Sequence, residues 1–339
     1  MEDANWNAGK LLELSGAYWA GCAVQAAVRL DVFTALEQGA RDENELAAAL
    51  SCDRRGFSML ITALAALGLL TRREAGKVSA PANILALLSK NSPDYLGFII
   101  QHHAHLMPSW AKLAEAVREG RPTRESSSHT DSDAEREAFL FGMFNIARLQ
   151  AETVAQALDL SERRTLIDIG GGPGTYAVYF CKKNPNLQAT IFDLPTTEPF
   201  AKKIVAQYGL SERIDFASGN FLAGALPKGQ DVAWLSQVLH GETPADAEKL
   251  LRNAAACLNP GGLLCVQEFV LDDDRVGPTH AALFALNMLV GTEGGQTYTT
   301  SELAGMMAEA GATEVNRLDA SLPQSCCVLV GRMGETNPR

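Results

Sequence analysis

The chain has 339 residues, 47% of them hydrophobic and 20% charged, and a formal net charge of −11. That length allows two domains, or one large domain with an appendage, each burying its own core. An acidic surface repels phosphate backbones, which argues against nucleic acid as a partner, and no apolar run approaches the ~20 residues needed to cross a bilayer.

Seven cysteines are scattered without a Cys-x-x-Cys pair, and no secretory signal is visible. Both features predict a reducing, cytoplasmic setting rather than a disulfide framework. Residues 1–100 are expected to be helical and compact. "LLELSGAYWAGCAVQAAVRLDVFTAL" repeats apolar residues at helical spacing. In "DRRGFSMLITALAALGLL", Asp53 stands where it can cap a helix start. "LTRREAGKVSA" reads as two short strands around a glycine-containing turn. Three helices and a small hairpin outline a winged helix. Its expected recognition helix offers only Arg54 and Arg55 before turning wholly apolar, and residues 1–100 carry nine Lys/Arg against eleven Asp/Glu. Such a surface suits a protein partner better than a DNA groove.

Residues 101–160 continue as helices, interrupted by the polar loop "REGRPTRESSSHTDSDAE", expected to be exposed and mobile. From residue 161 onward, short apolar runs alternate with amphipathic helices: "RTLIDIG", "LQATIFDLP", "ERIDFASGN", "DVAWLSQVLH", "GGLLCVQEFVL". Runs apolar almost throughout are strands buried on both faces of a parallel sheet. "GATEVNRLDA" and "QSCCVLVGRM" supply two more. The fold class is therefore α/β, a Rossmann-like doubly wound sheet of seven strands behind a mostly helical N-terminal domain.

In such sheets ligands bind beyond the carboxyl ends of the strands. Asp168 ends the first strand, and Gly170, Gly171, Gly172 and Gly174 form the turn after it. Asp193 ends the second strand, where a carboxylate can accept both hydroxyls of a ribose. An adenosine-containing cofactor follows, and both NAD and S-adenosyl-L-methionine (SAM) meet the description. The dinucleotide pattern G-x-G-x-x-G/A fails from Gly170 but fits from Gly172, ending at Ala177.

"IDIGGGPGTYAVYF", "ATIFDLP", "ASGNFL", "DVAWLSQVLHGE", "LNPGGLLCVQEFVLDDD" and "GGQTYTTSELAGMMAEAGA", in that order and spacing, resemble the class I SAM-dependent small-molecule O-methyltransferases of the caffeate and acetylserotonin type, in a bacterial branch. The resemblance covers nearly the whole chain. It implies a winged-helix dimerisation domain at 1–100, pocket helices at 101–160 and a SAM-binding catalytic domain at 161–339. It also implies a cytoplasmic homodimer of secondary metabolism, pairing through the N-terminal domain, with no metal, membrane or nucleic acid involved. SAM would leave as S-adenosyl-L-homocysteine (SAH).

The cofactor residues implied are Asp168, Gly170, Gly171, Gly172, Gly174, Asp193, Leu194, Gly219, Asn220, Phe221, Ser236 and Gln237. The glycines would let backbone approach the methionine portion of SAM. Methyl transfer needs an oxygen nucleophile brought close and stripped of its proton, and a neutral histidine suits that task near pH 7. His240, at the end of the fourth strand, takes the place of the catalytic base, and Glu268, ending the fifth, that of the orienting acid. Phe141, Met143, Phe144, Phe284, Asn287 and Met288, on two aromatic- and methionine-bearing helices, are the implied acceptor contacts, pointing to a small aromatic or apolar substrate.

Four departures stand out. Thr297 occupies the position of a second orienting acid, Asn220 that of an adenine-side aspartate, Ser236 that of a lysine, and Gly241-Glu242 that of an Asp-Trp pair. They leave open a SAM-dependent decarboxylation, hydroxylation or rearrangement, or methyl transfer to nitrogen or carbon. A SAM-sensing winged-helix regulator is the non-enzymatic alternative. His102–His105 ("HHAH") has no acidic ligands spaced with it and is expected on a helix rather than on a metal. Cys326 and Cys327, adjacent in a strand, are expected in the core.

Overall fold

The structure, a computed structural model, describes residues 6–124 and 133–335. The centre of the loop expected to be mobile, residues 125–132, lies outside the described residues. The chain divides into two compact units, Met1–Leu106 and Met107–Arg339.

The first unit opens with α1 (Ala8–Gly16) and α2 (Tyr18–Arg29), followed by β1 (Arg41–Asp42), α3 (Glu43–Ala49) and α4 (Arg54–Ala66). Asp53 caps α4 as expected, its carboxylate accepting from Gly56 N at 2.8 Å. The hairpin also forms, as β2 (Thr71–Arg72) and β3 (Lys77–Ser79), and β1 joins it to give the order β1-β3-β2. Next come α5 (Ala82–Leu88) and α6 (Gly97–Trp110), the latter running past the unit boundary. Phe57, Ile61 and Leu64 recur at intervals of four and three, one stripe of α4. They bury against Phe33, Leu36, Leu46 and Val78. Burying each such side chain contributes about 1.5–3 kcal/mol. The first two helices contrast with this core: α1 buries none of its residues, and Leu12 and Trp19 are 74% and 70% exposed.

The second unit begins with α7 (Leu113–Glu119), stopped by Gly120 in the left-handed region, and the long α8 (Asp133–Ala157). Then β4 (Thr165–Ile169), α9 (Thr175–Lys183), β5 (Gln188–Asp193), α10 (Glu198–Gln207) and β6 (Ile214–Ser218) alternate. They are followed by β7 (Gln230–Ser236), α11 (Pro244–Cys257), β8 (Leu258–Leu271), α12 (Thr279–Gly291), β9 (Tyr298–Thr299), α13 (Thr300–Glu309), β10 (Ala312–Arg317) and β11 (Cys326–Met333). The sheet order is β10-β11-β8-β7-β4-β5-β6, with the two-residue β9 attached to β8. The five strands from β8 to β6 pair parallel, while β11 runs antiparallel to β8. The seven expected strands are thus present in a doubly wound sheet. Leu166, Ile167 and Ile169 of β4 are each 0% exposed, as a strand covered on both faces requires.

Two strand ends differ from the sequence expectation. β8 continues three residues past Glu268, because β11 pairs along it and sets Cys327 opposite Glu268. β7 stops at Ser236, so His240 stands four residues beyond it, in a 3₁₀ turn (Leu239–Gly241). Cys326 and Cys327 are both 2% exposed and in the core.

Candidate active site

The chain reverses from β4 into α9 through Gly170–Gly174. Gly170, Gly172 and Gly174 have positive φ, a conformation that side chains resist. Their spatial reasons differ. A Cβ on Gly174 would fall 2.2 Å from Ile191 Cδ1, one on Gly170 2.7 Å from Val238 Cγ2, and one on Gly171 2.7 Å from Asp168 Cγ. Those three make room for the protein's own side chains. A Cβ on Gly172, by contrast, would meet nothing within 4 Å, and that residue lines the cavity beside it.

Asp193, at the tip of β5, ties that turn down. Gly172 N donates to its Oδ2 at 2.8 Å, while Leu194 N (2.7 Å) and Thr197 Oγ1 (3.1 Å) donate to its Oδ1. Asp168, 1% exposed, accepts from Ala177 N at 3.3 Å. Burial pushes its carboxyl up to about 7, and the nearby Asp193 charge adds to the shift. Past β6, Gly219 N donates to the Asp193 carbonyl, and Asn220 Oδ1 accepts from Leu222 N at 2.8 Å, spending that amide oxygen on a local turn. Past β7, Ser236 Oγ reaches Gln267 Oε1 at 3.4 Å.

His240 is held from two sides. Glu268 Oε2 lies 2.7 Å from its Nδ1, and Glu268 Oε1 accepts its backbone N–H at 3.3 Å. The Glu268 side chain is 1% exposed and the imidazole 14%. Phe284 of α12 meets the imidazole edge-on, with ring centroids 4.8 Å apart at 86°. Thr297, the departure expected near this histidine, is 2% exposed.

The glycine turn, the strand-tip residues and His240 share one cavity of about 520 Å³, whose lining does not include Glu268, Thr297 or the expected acceptor contact Phe284. Its floor is the glycine turn with Asp168, Asp193, Leu194, Gly219, Asn220, Phe221, Ser236, Gln237 and His240. Every cofactor-side residue expected from the sequence except Gly174 therefore lines it. The facing wall is one stripe of α8: Arg136, Phe139, Leu140, Met143, Ile146, Ala147 and Gln150. Of the acceptor contacts expected from sequence, Met143 lines the cavity. Phe141 packs instead on Phe200 (5.6 Å between rings) and Phe144 on Tyr208 (6.4 Å). Each is turned by ~100° or more from the stripe. Asn287 accepts from Trp110 Nε1 at 2.9 Å and Met288 is 8% exposed in the core, so neither lines the cavity.

The sequence reading missed Phe139, Leu140, Gln150, Thr175 and Glu242, all of which line it. The spacing 136, 139/140, 143, 146/147, 150 was the available signal. Glu242 is partly buried, and its carboxyl is raised by burial, then by Asp246, with His240 opposing. His102 is 8% exposed on α6, and no cluster of three or more His, Cys, Asp or Glu suited to a metal occurs among the described residues.

Comparison with known proteins adds independent findings. A family model described as an O-methyltransferase domain matches residues 110–313, and one described as an O-methyltransferase dimerisation domain matches residues 12–82. The chain is 34% identical to 3-hydroxy-5-methyl-1-naphthoate 3-O-methyltransferase of Streptomyces sahachiroi, over 95% of this chain and 94% of that one. Among solved structures, PigF with SAH is similar at a TM-score of 0.89 and 27% identity, over 96% of this chain and all of that one. Human N-acetylserotonin methyltransferase in complex with SAM is similar at 0.88 and 27%, over 98% of this chain and all of that one.

Proposed function

The chain belongs to the O-methyltransferase family, and from that premise we propose that it methylates a hydroxyl of a small aromatic or otherwise apolar metabolite, with His240 as general base and Glu268 as its orienting acid. The enzyme is a SAM-dependent methyltransferase; PigF holds SAH and the human relative SAM. The cofactor supplies a methyl group already activated by a sulfonium. The residues present fit it: Gly172 leaves space for close approach of backbone, and Asp193 sets a carboxylate at the tip of β5.

The observation that carries the reading is the His240–Glu268 pair at 2.7 Å, its imidazole on the same cavity as the glycine turn. A buried carboxylate against Nδ1 keeps the imidazole proton on that nitrogen, so Nε2 presents its lone pair. Nε2 then takes the proton of the acceptor hydroxyl, and the imidazolium so formed is stabilised by Glu268. Phe284 restricts rotation of the ring. Phe139, Leu140, Met143 and Ile146 give the α8 wall an apolar surface that excludes water and suits a flat aromatic acceptor. The name of the Streptomyces relative, a hydroxylated naphthoate as its substrate, agrees with that surface.

The dimerisation-domain match supports a homodimer, and we assign its contact to the exposed apolar face of α1 and α2, including Leu12 and Trp19. His240→Ala should lower kcat by roughly 10²–10⁴-fold while leaving SAM affinity, read by calorimetry, within about twofold. An unchanged kcat would remove His240 from the chemistry. Failure of the wild-type protein to bind SAM or SAH, with binding of NAD instead, would overturn the whole assignment.

A further inference from the structure

Phe284, which meets the His240 imidazole edge-on at 4.8 Å, is itself held by two further rings. Phe269 of β8 stands 4.8 Å from it at 70°. His280, one turn back on α12, lies 6.4 Å away and within 8° of parallel. Phe269 and His280 close the triangle at 4.7 Å and 66°. Residues four apart on a helix are neighbours on one face, so α12 presents His280 and Phe284 together to Phe269. None of the three rings lines the cavity described above.

A base needs more than its carboxylate to be aimed. The torsion that turns a histidine ring has broad wells, and Glu268 constrains it at one edge, through Nδ1. Phe284, at 86° to the imidazole, stops the tipping that an in-plane hydrogen bond leaves open. It does so only while its own ring is fixed, and edge-to-face packing on Phe269 fixes it. The strand beneath is locked: Phe269 is 7% exposed and pairs with Cys326 in the register that sets Cys327 opposite Glu268. Glu268 and Phe269, adjacent on β8, thus reach one imidazole by two routes, the first a hydrogen bond and the second through Phe284. His280 backs both phenylalanines. Burial lowers its pKa, the Gln324 backbone opposing, so it is an uncharged ring near neutral pH. A charged ring there would repel the imidazolium that His240 becomes.

Resting on His240 as the base, we propose that Phe269 and His280 are positioning residues. With Phe284 they form a three-ring bracket that aims the Nε2 lone pair of His240 at the acceptor hydroxyl.

Proton NMR of protein labelled at its six histidines reads this bracket without any acceptor. With SAH bound, the ring protons of His240, assigned by their absence from His240→Ala, should be displaced by the Phe284 ring current. His280→Ala and Phe269→Leu should each lose most of that displacement, while His280→Phe, which keeps a flat ring, should retain it. With hydroxynaphthalenes as probe acceptors and labelled SAM, His280→Ala should lower kcat roughly 10-fold and leave KM for SAM within about twofold, because a slightly misaimed reacting group costs rate rather than cofactor binding. His280→Phe should restore kcat. Unmoved His240 resonances in both His280→Ala and Phe269→Leu would overturn the proposal, as would failure of His280→Phe to restore them. Hydroxynaphthalenes left unmethylated by the wild type would count against the acceptor reading alone, since the resonances still decide this one.

Discussion

The two units leave opposite things unfinished. In Met1–Leu106 the core around Phe57 and Ile61 is closed, yet Leu12, Trp19 and Tyr18 remain more than half exposed. In Met107–Arg339 the sheet is closed too, yet oxygens of Gln150, Thr175, Tyr176 and Gln237 stay buried without partners among the described residues. Apolar area in water is satisfied by another apolar surface. A buried polar atom is satisfied by a polar ligand. What each unit lacks therefore names its partner: a second chain for the first, a small polar molecule for the second.

The sharpest way to break that contrast is to make the first unit polar. Leu12→Asp combined with Trp19→Asp should raise the dimer dissociation constant by about 10³-fold or more, because burial of each such side chain is worth ~1.5–3 kcal/mol and a twofold axis counts it twice. Light scattering during size exclusion reads the result, while SAM affinity of the same variant should hold. A dimer that survives would move the interface off α1 and α2. The second unit has its counterpart in Asp193→Ala. Losing charge-assisted hydrogen bonds to the ribose should weaken SAM by roughly 10²-fold, and 5′-methylthioadenosine, which lacks the amino-acid tail, equally, since both carry the ribose. Loss of SAM binding with 5′-methylthioadenosine unaffected would show that Asp193 serves the tail instead.

The contrast also explains what could be read from the sequence. Strand tips were legible because buried parallel strands are continuous apolar runs; Asp193 at one tip follows from that topology, whereas the role expected of His240, past another, came from the family resemblance. The helical wall was harder. On α8 the aromatic residues Phe141 and Phe144 attract attention, but they pack on Phe200 and Tyr208, and the cavity takes Phe139 and Met143 from another face. A helix apolar on several faces does not say which one meets the ligand. The glycine turn was legible as a turn and misleading in its reason. Gly171 clears Asp168, three residues back, while Gly170 and Gly174 clear Val238 and Ile191, contacts distant in sequence that no local pattern contains.

Asp168 sharpens the comparison through pH. It is a second-unit polar group whose burial pushes its carboxyl up from 3.8 to about 7. The folded protein thus binds that proton more tightly than the unfolded chain. The stability it contributes is fully present below about pH 4 and is lost as pH rises through about 7. Asp168→Asn keeps an acceptor for Ala177 N–H and cannot ionise. Without ligand at pH 8 it should melt above the parent by roughly 10 °C, since a shift of about three pKa units is worth ~4 kcal/mol and each kcal/mol moves the melting point of a unit of this size by ~2–4 °C, and the gap should close as pH falls toward 4. With SAM present the order should reverse at pH 8, because the cofactor's positive charges favour the ionised carboxylate that the asparagine cannot supply. Melting curves from pH 4 to 8, with and without SAM, decide it. A gap that ignores pH would mean that Asp168 titrates like an ordinary surface acid, and that the cavity floor is wetter than its burial implies.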